Sequence, residues 1–299
     1  MQTNILIARS YGGPDVLEFH RQELPPVAAG MARVTVKAAG INPIDARRMT
    51  GEFRHAPLPQ AFGTEFSGVI SALPDGVTEW AVGDGVLGSG AGFTHATVID
   101  VPLDNLVRLP AGMDWAVAGS LAGAAQTAAT VLAELGEMRS LLIHGGAGGV
   151  GSIAIQLAKA RGISVVATGS AANQAYLAEL GAVPVVYGAG LTARLKAAHS
   201  APFDAAVDMA GTAEASEASL ALVKADGIIG SITGKPLPSP RIRPMWVKRD
   251  RKVLAEITDA VADGRMSWEV SRRFPFADAA AAYEAILTGH TRGKSVLVF

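Results

Sequence analysis

Between His144 and Gly151 the chain reads Gly145-Gly146-Ala147-Gly148-Gly149-Val150-Gly151, which sets Gly146, Gly148 and Gly151 at the spacing Gly-x-Gly-x-x-Gly. An apolar run, Leu141-Leu142-Ile143, precedes it, and Ile153, Ile155, Leu157 and Ala158 follow at helical spacing. A strand, a glycine turn and a helix in that order suit a dinucleotide. The backbone must turn tightly, no side chain may block the pyrophosphate, and the helix must pack close to the strand. The amide N–H groups and positive end of the helix then face the phosphates.

About 20 residues beyond such a turn, at the end of the second strand, an NAD site usually carries Asp or Glu for the ribose hydroxyls. Here the segment reads Ala167-Thr168-Gly169-Ser170-Ala171. No carboxylate repels a 2′-phosphate, and Ser170 can donate to one, so NADPH is the expected cofactor. The alternative for Ser170 and Asn173 is that they cap the following helix.

Other reactive groups are sparse. There is no cysteine, which removes disulfides, thiolate ligands and a cysteine nucleophile. No two of the six histidines stand at metal-ligand spacing, so no metal site is expected. His144 lies in the strand that enters the turn and reads as a hydrogen-bonded packing residue. The cluster Lys248-Arg249-Asp250-Arg251-Lys252 reads as a solvated helix start.

The elements that must position the turn follow from periodicity. Residues 32–39 alternate Arg33, Thr35 and Lys37 against Val34, Val36 and Ala38, a strand with one solvated face. Short strands are expected also at 1–11, 65–72, 94–100 and 105–109, separated by turns such as Pro74-Asp75-Gly76, which makes the first third β-rich. Beyond about Met113 the rhythm becomes apolar strand, turn and helix, with strands at Leu141, Ser164, Val183, Asp204 and Ile228. That is an α/β, doubly wound parallel sheet. After Gly234 a connection with Pro236, Pro238 and Pro240 interrupts it, and Pro244 disfavours a central strand at 241–247. Helices at about 250–262 and 277–287 lead to a last apolar run, 295–299.

With 49% hydrophobic residues, 18% charged and a net charge of −1, the chain has neither the composition of disorder nor a basic footprint for nucleic acid. The start lacks a secretory pattern, and 115–132, mostly alanine broken by polar residues, reads as a buried helix rather than a membrane span. A cytoplasmic protein acting on a small molecule, with no membrane or nucleic-acid partner, is expected.

Several segments together resemble the zinc-independent medium-chain dehydrogenase/reductases, in particular the quinone oxidoreductase group. They are Tyr11-Gly12-Gly13-Pro14-Asp15-Val16-Leu17, Gly40-Ile41-Asn42-Pro43-Ile44-Asp45, Gly63-Thr64-Glu65-Phe66-Ser67-Gly68-Val69, Val82-Gly83-Asp84-Gly85-Val86, the turn itself, and Gly293-Lys294-Ser295-Val296-Leu297. The resemblance implies a GroES-like substrate domain, residues 1–117 completed by 248–299, and a Rossmann domain over 118–247. It further implies a homodimer and a nicotinamide that meets its substrate between the domains. Zinc-dependent relatives place a ligand cysteine where this chain has Ile41-Asn42 and a ligand histidine where it has Thr64.

By resemblance, Asn42 and Thr127 lie near the nicotinamide ribose, and Ala147, Gly148, Gly149 and Val150 contact the pyrophosphate. Gly169, Ser170, Asn173, Tyr187, Ala210 and Ile232 complete the cofactor set, with Tyr187 alternatively a core aromatic. The catalytic candidates are Asn42, Asp45 and Arg47. For Asp45, as for Glu65, a bond to backbone or to each other is favoured over a catalytic carboxylate pair. Arg47 stands where many relatives carry Tyr, and it either orients a substrate oxygen or carboxylate or is a surface residue; Asn173 stands where many carry Lys. The expected activity is NADPH-dependent hydride transfer to quinones or other α,β-unsaturated carbonyl compounds. An enoyl thioester reductase and a non-catalytic NADPH sensor are the alternatives.

Overall fold

The N-terminal residues form β1 (Gln2–Ala8), which pairs antiparallel with β2 (Leu17–Glu23). β3 (Met31–Ile41) then runs into α1 (Pro43–Thr50), followed by β4 (Gln60–Ala61), β5 (Glu65–Ala72), β6 (Gly85–Ser89), β7 (Val98–Pro102) and β8 (Leu106–Arg108). The computed structural model describes residues 1–90, 92–289 and 291–299. β3 is flanked by β5 and β7, both antiparallel to it, and β5 by β6. The expected solvated face of β3 is therefore only partly realised. Arg33 is buried, and its guanidinium is satisfied by both oxygens of Asp100 at 2.8 Å and by the Pro25 carbonyl, while Lys37 stays exposed. Pairing of β3 with β5 shifts register twice, and opposite the bulge only glycine fits at position 68, where a Cβ would come within 2.3 Å of the Thr35 carbonyl.

α1 starts on Asn42 as N-cap with Pro43 in the first turn, and Gly51 ends it with φ of 82°. The expected helix over 115–132 is two, α2 (Trp115–Gly119) and α3 (Ala122–Leu135). The break falls at Ser120, whose hydroxyl donates to the carbonyls of Ala116 and Val117. α2 packs with Ala116 on Ala38 and Val296. The expected strand at 94–100 begins only at Val98, because the Thr94 hydroxyl is committed to the Glu65 carbonyl.

The second unit alternates strands and helices: β9 (Ser140–His144), α4 (Gly149–Ala160), β10 (Ser164–Gly169), α5 (Gln174–Glu179), β11 (Val183–Val186), α6 (Leu191–Ala198), β12 (Phe203–Asp208), α7 (Ala213–Leu222), β13 (Val223–Ser231) and β14 (Ile242–Pro244). Its parallel sheet has the order β11-β10-β9-β12-β13-β14. Every residue of β9 is buried, as both faces of a doubly wound sheet demand. β14, ending in Pro244, lies at the edge, the position a proline tolerates. Lys248 closes the unit: its N–H donates to the Thr130 hydroxyl at 3.0 Å, and its ammonium pairs with Glu134 at 2.9 Å.

The chain then returns through α8 (Arg251–Ala262), β15 (Val270–Pro275), α9 (Ala279–Leu287) and β16 (Lys294–Val298). β16 inserts between β15 and β3, giving the first unit a sheet of order β15-β16-β3-β5-β6-β8. Contacts divide the chain into 1–123 with 249–265 and 269–299, and 124–248 with 266–268. Among the described residues no helix is long and apolar enough to cross a membrane.

In the first unit, two fully buried side chains meet below β3: His95 Nδ1 lies 2.9 Å from the Tyr283 hydroxyl, and its Nε2 lies 3.1 Å from the Gly40 carbonyl. Burial pushes the His95 pKa down, so the ring is neutral, donating from Nε2 and accepting from Tyr283. Tyr283→Phe strands that acceptor, and we expect it to lower unfolding free energy by about 1–3 kcal/mol in denaturant titration.

Candidate active site

Every sequence-assigned cofactor residue of the second unit except Thr127 stands at or just past the carboxyl end of a strand of its sheet. Ala147 to Val150 follow β9, Gly169 ends β10 with Ser170 and Asn173 beyond it, Tyr187 follows β11, Ala210 follows β12, and Ile232 follows β13. β9 is the central strand from which chain order departs in both directions, the switch point at which open α/β sheets bind ligands. Thr127 lies half-buried on α3.

The three motif glycines do different work. A Cβ on Gly146 would meet Ala167 at 2.8 Å and Leu177 at 2.9 Å, and one on Gly151 would meet the Gly145 carbonyl at 2.5 Å. Both are packing glycines, which let α4 seat against β9 and β10. Around Gly148, by contrast, a Cβ would meet only the Gly145 carbonyl, at 3.6 Å. Open space therefore lies above the N-cap of α4, where the first helical N–H groups lack intrahelical acceptors. A pyrophosphate fits that cradle.

The turn is held from below. Thr168 accepts from the N–H of Gly145 at 3.3 Å through its hydroxyl and from that of Gly146 at 2.9 Å through its carbonyl. His144 lies with Nδ1 3.3 Å from the Thr168 hydroxyl and Nε2 3.1 Å from that of Ser219, and burial pushes its pKa down to about 4. A neutral imidazole meets both hydroxyls, accepting on one nitrogen and donating on the other, as a packing residue should.

At the end of β10, neither Ser170 nor Asn173 forms a side-chain cap on its own helix, so the capping alternative is not realised. Tyr187 is 40% exposed rather than a core aromatic, and its N–H donates to the Gly169 carbonyl. Sequence reasoning missed Asp208. Its Oδ1 accepts from the N–H groups of Ala210 and Gly211, both at 2.8 Å, and shapes the turn after β12. Burial pushes its pKa up, against those donors. The signal was an Asp two residues before a small residue and a glycine, an Asx turn.

In the first unit, Asn42, Thr64, Glu65 and Lys294 form one cluster. Asn42 Nδ2 donates to Glu65 Oε1 at 2.9 Å and Thr64 Oγ1 at 3.2 Å, and Lys294 Nζ donates to Asn42 Oδ1 and to Glu65 Oε1, each at 2.6 Å. Asp45, fully buried, accepts from the N–H groups of Asn42 and Gly63 at 3.0 Å. It positions the start of α1. Asp45 and Glu65 hold backbone and neighbouring side chains and do not pair with each other. Arg47 has a side chain only 15% exposed, with Nε 3.5 Å from Glu52. The Lys248–Lys252 cluster is a helix start: Asp250 caps α8 by accepting from Lys252 and Val253, and Arg251 pairs with Glu79.

Two family profiles match the chain: the alcohol dehydrogenase GroES-like domain over residues 28–135 and zinc-binding dehydrogenase over 180–297. Asn42 and Thr64, at positions that hold zinc ligands in metal-dependent relatives, offer an amide and a hydroxyl beside a buried ammonium, a donor set unsuited to a dication. Among the described residues no group of three His, Cys, Asp or Glu could hold a metal ion. The chain is 30% identical to the NADPH-dependent alkenal/one oxidoreductase of Arabidopsis thaliana, a chloroplastic protein, covering 96% of this chain and 77% of that one. It is 28% identical to a quinone oxidoreductase of Pseudomonas aeruginosa, with 97% of each covered. The structure of Escherichia coli quinone oxidoreductase complexed with NADPH superimposes with a TM-score of 0.89 at 25% identity, covering 99% of this chain and 100% of that one.

Two outcomes test this geometry. Gly148→Ala should leave thermal stability within about 0.5 kcal/mol of wild type, whereas Gly151→Ala, pressed against backbone, should cost about 1–3 kcal/mol. Because the folded-state pKa of His144 lies near 4, below its unfolded value, the unfolded chain takes up the proton first. Unfolding free energy should therefore fall as pH drops from about 6.5 to about 4, by up to about 1.4 kcal/mol per pH unit. His144→Gln should flatten that slope in urea titrations.

Proposed function

The chain belongs to the quinone oxidoreductase group of the medium-chain dehydrogenase/reductases, and we propose that it is an NADPH-dependent reductase of quinones or other α,β-unsaturated carbonyl compounds. The observation that carries the reading is the open cradle at Gly148 beside a strand end without a carboxylate, Gly169-Ser170-Ala171. NADPH, when bound, supplies the hydride. The backbone of Ala147 to Val150 and the positive end of α4 hold the pyrophosphate. Ser170, Asn173 and Tyr187 surround the 2′-phosphate, with Gly169, Ala210 and Ile232 lining the strand ends beside the dinucleotide.

Asn42 and Thr127 take the nicotinamide ribose, and Arg47 orients the oxygen of the acceptor. Asp45 acts through Asn42 rather than on substrate, because both its oxygens are taken by backbone. Transfer to an electron-poor conjugated carbon then rests on orientation and on hydrogen bonds to the acceptor oxygen. The completing proton comes from water, since His144 is neutral and buried. A homodimer in the cytoplasm, with domain limits at 1–117 plus 248–299 and at 118–247, accompanies this reading.

The test is stopped-flow oxidation of NADPH and of NADH by a simple quinone and a simple enone. NADPH should be consumed with lower KM than NADH; tight NADPH binding without turnover on either acceptor would favour a sensor, and equal affinity for the two cofactors would remove the NADPH preference. Ser170→Asp, which restores a carboxylate at the strand end, should weaken NADPH by about tenfold or more while sparing NADH.

A further inference from the structure

The buried ammonium of Lys294 has no part in the reaction as described above, yet it is the least expected charge in the first unit. Its side chain is 6% exposed and that of Glu65 is fully buried. The carboxylate site is built for it. A Cβ at Gly40 would lie 2.4 Å from Glu65 Oε1, and the Gly123 N–H donates to Oε2 at 2.6 Å. An ion pair held this far from water gains little net stability, because desolvation offsets the attraction. Its geometry points to a different use.

A carboxamide is nearly symmetric in shape, so which end is oxygen must be fixed by its neighbours. Around Asn42 they are unambiguous. Lys294 is a donor only and sits 2.6 Å from Oδ1; Glu65 Oε1, an acceptor in the ion pair, sits 2.9 Å from Nδ2. The backbone of Asn42 is fixed separately, through its N–H to Asp45. We propose that Lys294, working with Glu65, is a positioning residue that locks the Asn42 amide with its oxygen outward from Glu65, so that Oδ1 and not Nδ2 is the atom offered to a hydroxyl of the nicotinamide ribose. The inference rests on the NADPH-reductase reading and assigns what sets the orientation of the nicotinamide half. The adenosine half, held by the strand ends of the other unit, does not depend on it.

The experiment compares the full-length wild type, Lys294→Met, and Lys294→Met combined with Glu65→Gln. It measures NADPH oxidation by benzoquinone from about pH 5 to 9, thermal unfolding, and calorimetric binding of 2′,5′-ADP, which lacks the nicotinamide. Both variants should bind 2′,5′-ADP as wild type does, with kcat lowered by about tenfold or more. The double variant, which buries no charge, should melt close to wild type and still have the low kcat. In both variants kcat should stay low across the whole pH range, because no donor-only group then faces Oδ1. Wild-type kcat in Lys294→Met, or in a double variant that has regained stability, would overturn the proposal and leave a structural ion pair. Should Lys294→Met fail to fold, the double variant decides. A wild type that consumes no NADPH would instead sink the reductase reading, and this inference with it.

Discussion

A carboxylate with no access to water has to be met by charge and by N–H groups, and Glu65 draws four distant stretches of chain together to satisfy that demand. Asn42 comes from the end of β3, Gly123 from α3, Lys294 from β16, and Glu65 itself from β5. Removing Lys294 would leave a buried charge uncompensated, which costs far more than the intact arrangement gains. The sheet order of the first unit is the outward form of this requirement: β16 must lie against β3, and β3 against β5, for the three side chains to meet. Even the glycines follow from it, since Gly40 leaves the room the carboxylate fills.

The second unit is governed by close approach of backbone. Gly146 and Gly151 let α4 lie on the sheet, and Thr168 fixes the turn from the neighbouring strand. With packing discharged by those two glycines, Gly148 can be left with empty space above it. Polar groups at the other strand ends follow the same economy of small residues. Ala210 is exposed on a turn shaped by Asp208, and Ser170 has its hydroxyl uncommitted to a helix cap.

Much of this was legible in the chain itself, for a physical reason. The turn at 145–151, the apolar strands and the missing carboxylate at 167–171 are local patterns, set by backbone geometry and by burial on both faces of a sheet. The Glu65–Lys294 pair is not local. Its members stand 229 residues apart, and only the pairing of β16 with β3 brings them together. The motif Gly293-Lys294-Ser295 could be quoted as a motif, yet nothing in it says that the lysine points inward. Arg33 misled in the same way: an arginine at an alternating position reads as solvated, and only the arrival of Asp100 on β7 makes its burial tolerable. The run at 115–132 looked like one helix because alanine suits any helical position, while the break depends on one serine hydroxyl turning back on the carbonyls before it.

The hydroxyl of Thr130 and the N–H of Lys248 meet at the two ends of the inserted unit, and Glu134 adds its ion pair to Lys248. Once that unit has folded, its entry and exit are pinned to each other. The pairing of β3 with β16 then no longer requires closure of a free loop as long as the intervening sequence, and the entropy lost is that of a much shorter connection. The inserted unit is translated in full before β16 is, so its closure can precede the pairing of β16 with β3. Residues 124–248 can close on themselves while the first unit still waits for β16, and their closure brings the first unit's separated halves within reach of each other.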